Sequence, residues 1–306
     1  MLLQPMRSIN MGYRDYSVAK GHIVDITGHG DFTTIQAAIN AASSGQIIYV
    51  RPGTYSENWT PKSGVTITAA TGFDLNDVII IGKVSISIAG SYRIDNVTLQ
   101  TNSDYAIEIT GSDAITLNLS NIALICSNHT GINFSNSNAG SVISSLYSIF
   151  SLLTTGIATY TSSCPGNIIF YYCISANEGL SITPSSNSAG VASHLFCTWD
   201  VAISSSGTGA TSLESCRLDL DTENATCLSL TGTAIGTLLQ SIVISGTASS
   251  VSIGAGCTAN ITHTVVSSSN ANAISGSGTL NKAFIAFLGS SSTVEGTLTV
   301  NSLPTT

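Results

Sequence analysis

Apolar and polar residues alternate with period two along most of the chain, in short runs separated by turns rich in Ser, Gly and Asn. Between Ala106 and Leu288 the alternation itself repeats. Eight lines begin at Ala106, Gly131, Gly156, Gly179, Val201, Cys227, Ser250 and Asn272, with successive starts 25, 25, 23, 22, 26, 23 and 22 residues apart. Each holds a short strand (AIEIT, GINFS, GIATY, GLSIT, VAISS, CLSLT, SVSIG, NAISG), a polar turn and a longer apolar run (NIALIC, SLYSIF, NIIFYYC, SHLFCTW, ESCRLDL, LLQSIVI, NITHTVV, NKAFIAF). Period two marks strands, and a fixed repeat in this range marks a solenoid. A leucine-rich repeat needs a regular run of Leu and a helical turn in every repeat, and these lines lack both. Three strands at ~3.3 Å per residue, with their turns, take up about 20–25 residues, which is one coil of a parallel β-helix. The expected fold is all-β: a single-stranded parallel β-helix of about ten coils. Asn96, Asn121, Asn167, Asn260 and Asn281 stand where the longer runs begin, positions suited to one internal ladder of Asn side chains bonded along the rod.

Upstream of the repeats the period changes. In VDITGHGDFTTIQAAINAASSGQIIYVRPGTYSE, Ile35, Ala38, Ile39 and Ala42 form one stripe at helical spacing, Thr33 or Thr34 supplies an N-cap, and Ser44-Gly45 ends the helix. A solenoid exposes the interior of its first coil, and an amphipathic helix laid across that end covers it. Residues 24–60 thus read as capping helix and first coil, 61–306 as repeats ending in a strand-rich segment, and 1–23 as an attachment segment or tail.

Asp31-Phe32-Thr33-Thr34-Ile35-Gln36 and Pro52-Gly53-Thr54-Tyr55-Ser56-Glu57 resemble the opening of pectinesterase-type members of the pectin-lyase-like β-helix superfamily. The resemblance covers about 35 residues and implies a right-handed coil. Its chemistry does not follow. The family's Gln-Ala-Val-Ala strand, Gln-Asp turn, Asp-Phe-Ile-Phe-Gly strand and Arg-Pro-Trp are all missing, and the nearest stretch, Asp104-Tyr105-Ala106-Ile107-Glu108, lacks the Gln. No Asp or Glu occurs between Asp113 and Glu178, and no Lys or Arg between Arg93 and Arg217, so the middle of the rod cannot build a calcium-dependent lyase site.

One acidic stretch invites chemistry. In SCRLDLDTE, alternation turns Cys216, Leu218 and Leu220 inward and Arg217, Asp219 and Asp221 outward, with the two carboxylates roughly 6.5–7 Å apart, near the spacing of an inverting glycosidase. Asp219 and Asp221 are the candidate catalytic pair, and Asp200 and Glu214 on neighbouring coils could join them. The same alternation also yields a plain solvated strand face carrying an Arg–Asp contact. Trp199, Asp200 and Arg217 are candidate ligand contacts, and Trp199 with Tyr160, Tyr171 and Tyr172 could form a sugar-stacking surface; packing within strands uses the same residues.

Composition then narrows the partners. Only 8% of residues are charged and the net charge is -8 with no basic cluster, which argues against nucleic acid and leaves a Ser, Thr, Asn and Gly surface suited to self-packing or uncharged glycans. The seven cysteines are spaced for neither a disulfide framework nor a zinc site, so they are expected as reduced thiols in the core. The five histidines share no metal-ligand spacing; no metal and no cofactor is expected. The first residues show no signal-peptide core, and no apolar run is long enough for a membrane span.

The final run, SIGAGCTANITHTVVSSSNANAISGSGTLNKAFIAFLGSSSTVEGTLTV, resembles the low-complexity repeats of phage tail-fibre and tailspike proteins. That resemblance implies a non-catalytic, receptor-contacting virion appendage, assembled in a host cytoplasm as a homotrimer beside other virion proteins and meeting host-surface polysaccharide. The competing readings are a carbohydrate-active enzyme, either a glycosidase using Asp219 and Asp221 or a pectinesterase-like esterase, and a bacterial surface adhesin.

Overall fold

The computed structural model describes residues 21–101, 105–126, 131–152, 158–162, 165–176, 181–184, 190–199, 202–220, 226–269, 272–288, 293–296 and 298–303. Every pairing between its strands is parallel, and each coil contributes three strands. The coil Ile115–Ser120, Ala123–Cys126, Ile132–Phe134 is representative. Its strands belong to a first, a second and a third face of the rod. The third face is a ladder of ten strands, Val84–Ile86 to Thr293–Gly296, so ten coils are complete and nine steps separate them. At ~4.8 Å per step the ladder rises about 43 Å. The coil is right-handed.

Alternation decides which side chains fill the rod. On the first face the inward column runs Ile67, Ile94, Leu119, Ser145, Phe170, His194, Leu213, Leu238, Ile261, one residue per coil in strict register. All nine are buried. A one-residue slip would turn this column out into water and expose every apolar member, so the burial pattern holds the register. Ser145 and His194 are its polar members within the rod, and at the last coils Lys282 and then Ser302 pair beyond Ile261.

In the first of the ten complete coils residues 70–77 join the first face to the second, and after it no loop does. A single residue with positive φ makes the corner in the nine later coils: Asn96, Asn121, Tyr147, Tyr172, Phe196, Ser215, Gln240, His263 and Phe284, all between 50° and 58°. Most L-residues pay for this conformation, by roughly 1–2 kcal/mol. Stacking offsets the cost. Each corner N–H donates to a carbonyl of the next coil, as Asn96 to Ser120, Tyr147 to Tyr171 and Phe196 to Glu214. The residue after each corner points inward, and over six coils it is Ser148, Cys173, Cys197, Cys216, Ser241 and Thr264. Each donates its hydroxyl or thiol to the carbonyl two residues earlier, at 2.9–3.6 Å. A buried turn carbonyl is thereby satisfied without water.

The expected single Asn ladder is in fact two. Asn121 donates to Asn96 at 2.6 Å on the corner column. Asn301 donates to Asn281 and Asn281 to Asn260, at 2.9 and 2.8 Å, within the first face near the far end. Asn167 belongs to neither, and its Oδ1 accepts the Val191 N–H. Coil period alone could not separate columns that lie on different sides of the same rod.

The capping helix, α1, spans Ile35–Ala41 and buries Ile35, Ala38 and Ile39. Thr34 is its N-cap, accepting the Ala37 N–H. Glu57 of the first coil reaches back to accept the Ile35 and Gln36 N–H groups, and Lys62 donates to the Ala42 carbonyl. Gly45, at φ +86°, lets the chain reverse into the first coil. A strand ahead of the helix, Gly21–Val24, pairs with Ile47–Val50. Among the described residues the stack begins with this strand.

Candidate functional site

The stretch that carried the sequence-level candidates falls on the second face. In the strand Arg217–Leu220, Cys216, Leu218 and Leu220 are buried as alternation requires, while Arg217 is exposed and Asp219 partly so. The guanidinium of Arg217 donates to Asp219 Oδ2. In the next coil Ile242 pairs in register with Arg217 and Ile244 with Asp219. Asp219 thus faces its own arginine and an apolar neighbour. Asp221 and Asp200 lie outside the described residues. Glu214 ends the first-face strand Ala210–Glu214, on the other side of the Ser215 corner from Asp219.

Trp199 needs correction as a sugar-stacking residue. It is wholly buried, with Phe170 and His194 edge-on to it at 5.4 and 5.6 Å. Counting inward from Cys197 by twos predicts this, because the corner resets the alternation: Cys197 in, Thr198 out, Trp199 in. Burial of the indole in a strand interior is the ordinary gain from aromatic area. The side chain of Tyr160 lies outside the described residues.

An aromatic surface does exist, at the corners. Tyr147, Tyr172 and Phe196 stack one above another, with ring centroids 5.2 and 5.0 Å apart and planes within 9° and 14°. They are 56%, 42% and 43% exposed. Tyr171 sits edge-on to both Tyr172 and Phe196. The next corners carry Ser215 and Gln240, and the rings resume with His263 on Phe284 at 4.8 Å. Of these, sequence reasoning found only Tyr171 and Tyr172. Its usable signal was the recurring pair of a bulky residue followed by an inward Ser or Cys: Tyr147-Ser148, Tyr172-Cys173, Phe196-Cys197.

Seven further carboxylates among the described residues are held in structural contacts. Asp25 accepts from Thr27 and from Arg51 at 2.9 Å; these bonds hold its pKa down at about 2. Asp31 accepts the Ile23 N–H, Glu57 caps α1, Asp74 and Asp77 close a turn, Asp95 pairs with Arg93, and Glu108 with Lys83. Two concavities flank the cap. One, of about 360 Å³, is lined by Ile23, Tyr49, Arg51 and Phe73, and the other, of about 480 Å³, by Gln36, Asn40, Lys62 and Tyr92. Among the described residues neither is lined by an Asp or Glu, and the Arg51 of the first is held by Asp25.

Cys126, Cys173, Cys197, Cys216, Cys227 and Cys257 are free and buried. Burial pushes Cys126 and Cys227 up to about 12, and Cys197, hemmed in by Cys173 and Cys216, is also raised. Cys173 and Cys216 are lowered by their contacts with the Cys197 thiol, and burial keeps all six away from solvent. Among the described residues no cluster of His, Cys, Asp or Glu has the geometry to hold a metal, and no helix is long and apolar enough to cross a membrane.

No protein-family profile and no curated protein matches the chain in sequence. Solved structures do match in shape. The mannuronan C-5 epimerase AlgE6 A-module of Azotobacter vinelandii superposes with a TM-score of 0.52 at 13% identity, over 89% of this chain and 95% of that one. The Agl-KA catalytic domain gives 0.53 at 12%, over 87% of this chain and 64% of that one. Geobacillus virus E2 ORF18 gives 0.43 at 13%, over 87% and 55%, too loose to bear on function. The chain shares with these structures the fold of a right-handed parallel β-helix.

Proposed function

We propose that this chain is a non-catalytic β-helix of a virion fibre or tailspike that contacts host-surface glycans and works as a homotrimer. The observation that carries the reading is the state of the carboxylates. Glycoside hydrolysis needs two of them facing one bond, one free to give a proton, whereas Asp219 is engaged by Arg217 and looks onto Ile244. Asp25, Asp31, Glu57, Asp74, Asp77, Asp95 and Glu108 serve caps, turns and ion pairs, and Glu214 stands across the Ser215 corner from Asp219. What the outer faces offer instead is polar, uncharged side chains beside an exposed aromatic column, the combination that grips sugars without acting on them. The same sparse charge suits a rod that packs against its own copies.

The test has two arms. Reducing-end release is followed on a panel of neutral and acidic polysaccharides, and capture of the same glycans is measured on an array. Capture without release supports the proposal. Release that disappears in Asp219→Asn or Asp221→Asn, with the fold intact, overturns it in favour of a glycosidase.

A further inference from the structure

The aromatic column breaks after Phe196, over the two rungs of Ser215 and Gln240. Successive corner residues sit one coil step apart, and in three consecutive coils the step is filled by a ring: Tyr147, Tyr172, Phe196. The next corner is Ser215, whose side chain is a single hydroxymethyl. Among the described residues no ring lies on the face of Phe196 turned away from Tyr172. The following corner, Gln240, is exposed and carries an amide. Two steps of ~4.8 Å separate the corners of Phe196 and Gln240. That interval admits one six-membered ring at stacking distance from Phe196, with Ser215 as the floor and Gln240 as the far wall.

Polar groups stand beside this notch. Arg217 follows Ser215 by two residues, opening the second-face strand just past the corner, and is exposed. Its guanidinium has five N–H donors, and one goes to Asp219. Thr198, exposed, pairs in register with Arg217 from the coil of Phe196. The charge of Arg217 is balanced by Asp219, and Ser215, Thr198 and Gln240 are neutral. The site therefore selects for hydroxyl-bearing rings rather than for anions.

Resting on the glycan-contact reading, we propose that the empty rung at Ser215 is a subsite for one pyranose ring of a neutral glycan, stacked by its C–H face on Phe196. An apolar C–H face meets the negative face of the phenyl ring, and the ring hydroxyls reach Arg217, Thr198 and Gln240. The bound sugar would continue the column that Tyr147 and Tyr172 begin.

The column supplies its own test. Tyr occupies corners of the same φ at Tyr147 and Tyr172, so Ser215→Tyr fills the rung with a side chain this backbone already carries. Wild type, Ser215→Tyr, Phe196→Leu and, as a remote control, Leu288→Ala, an exposed aliphatic outside the column, are applied to an array of neutral gluco-, galacto-, manno- and N-acetylglucosamine oligosaccharides, with uronic-acid oligomers alongside. Each variant's thermal melt confirms folding. The expected result is capture of a neutral glycan by wild type and Leu288→Ala, loss in Ser215→Tyr, and about tenfold weaker capture in Phe196→Leu. Equal capture by wild type and Ser215→Tyr, or preference for uronic acids, overturns the subsite while leaving glycan contact in place. Should Ser215→Tyr not fold, undiminished capture by Phe196→Leu overturns it equally. No capture by wild type of any oligosaccharide overturns the glycan reading and the subsite together.

Discussion

His194 is wholly buried, lies flat on Phe170 at 5.0 Å, and has no hydrogen-bond partner for either ring nitrogen among the described residues. Burial disfavours the charged ring and lowers its pKa from 6.5 to about 3. The unfolded chain therefore binds a proton below pH 6.5 that the folded chain refuses until about pH 3. Stability contributed by the neutral ring is present above 6.5 and is lost as the pH falls through that window, at roughly 1.4 kcal/mol per pH unit as an upper slope. Asp25 acts lower down: its depressed pKa of about 2 gives stability that is present above the usual carboxylate value of 3.8 and disappears only beneath it. Urea midpoints at pH 7, 5 and 4 separate the two, since His194→Phe should flatten the fall from 7 to 4 and raise the midpoint at 4. An unchanged slope would mean that another group titrates there. The inward place of His194 and Trp199 was readable once the corner was known. Without it, alternation counted across residues 196–199 loses its phase.

At the scale of the element, the helix was legible and the corner was not, for opposite reasons. Every signal in α1 agrees: the Thr34 cap, the Ile35–Ala42 stripe and the Gly45 stop are each the residue types that such positions favour. The corner places Tyr, Phe and Gln where propensity predicts Gly or Asn, so only Asn96 and Asn121 hinted at it. Two substitutions follow. Glu57→Ala leaves the Ile35 and Gln36 N–H groups without their acceptor in a part-buried setting, and should cost about 1–3 kcal/mol by chemical denaturation. Glu57→Gln, which keeps acceptor capacity, should cost less. Gln240→Pro demands φ near −65° where the chain holds +50° and removes the N–H donated to Thr262. It should cost about 3 kcal/mol or more, whereas Gln240→Asn, tolerant of this conformation, should stay within about 0.5 kcal/mol of wild type.

For the whole molecule, period and alternation were enough to give the fold, because a solenoid repeats one local rule and each coil needs only its neighbours. They could not give the functional surface, because that surface is defined by what stacks across coils, and residues such as Phe196 and Ser215 lie 19 positions apart in sequence. The same stacking bears on assembly. Ile174, Ile235 and Ile242 are 42%, 44% and 36% exposed on outward strand positions, in a chain with few charges to keep copies apart. A contact built from such side chains and from Ser, Thr and Asn hydrogen bonds is barely screened by salt, unlike one built from ion pairs. Light scattering on the full chain at about 0.1 M and 1 M salt should therefore give the same mass, near three times 31.4 kDa. Ile242→Lys, which sets a charge beside Arg217 on that face, should lower the mass toward a single chain without unfolding it. A mass near 31.4 kDa for wild type at both salts would refute the trimer, and a trimer lost only at high salt would place ion pairs rather than these isoleucines at its contact.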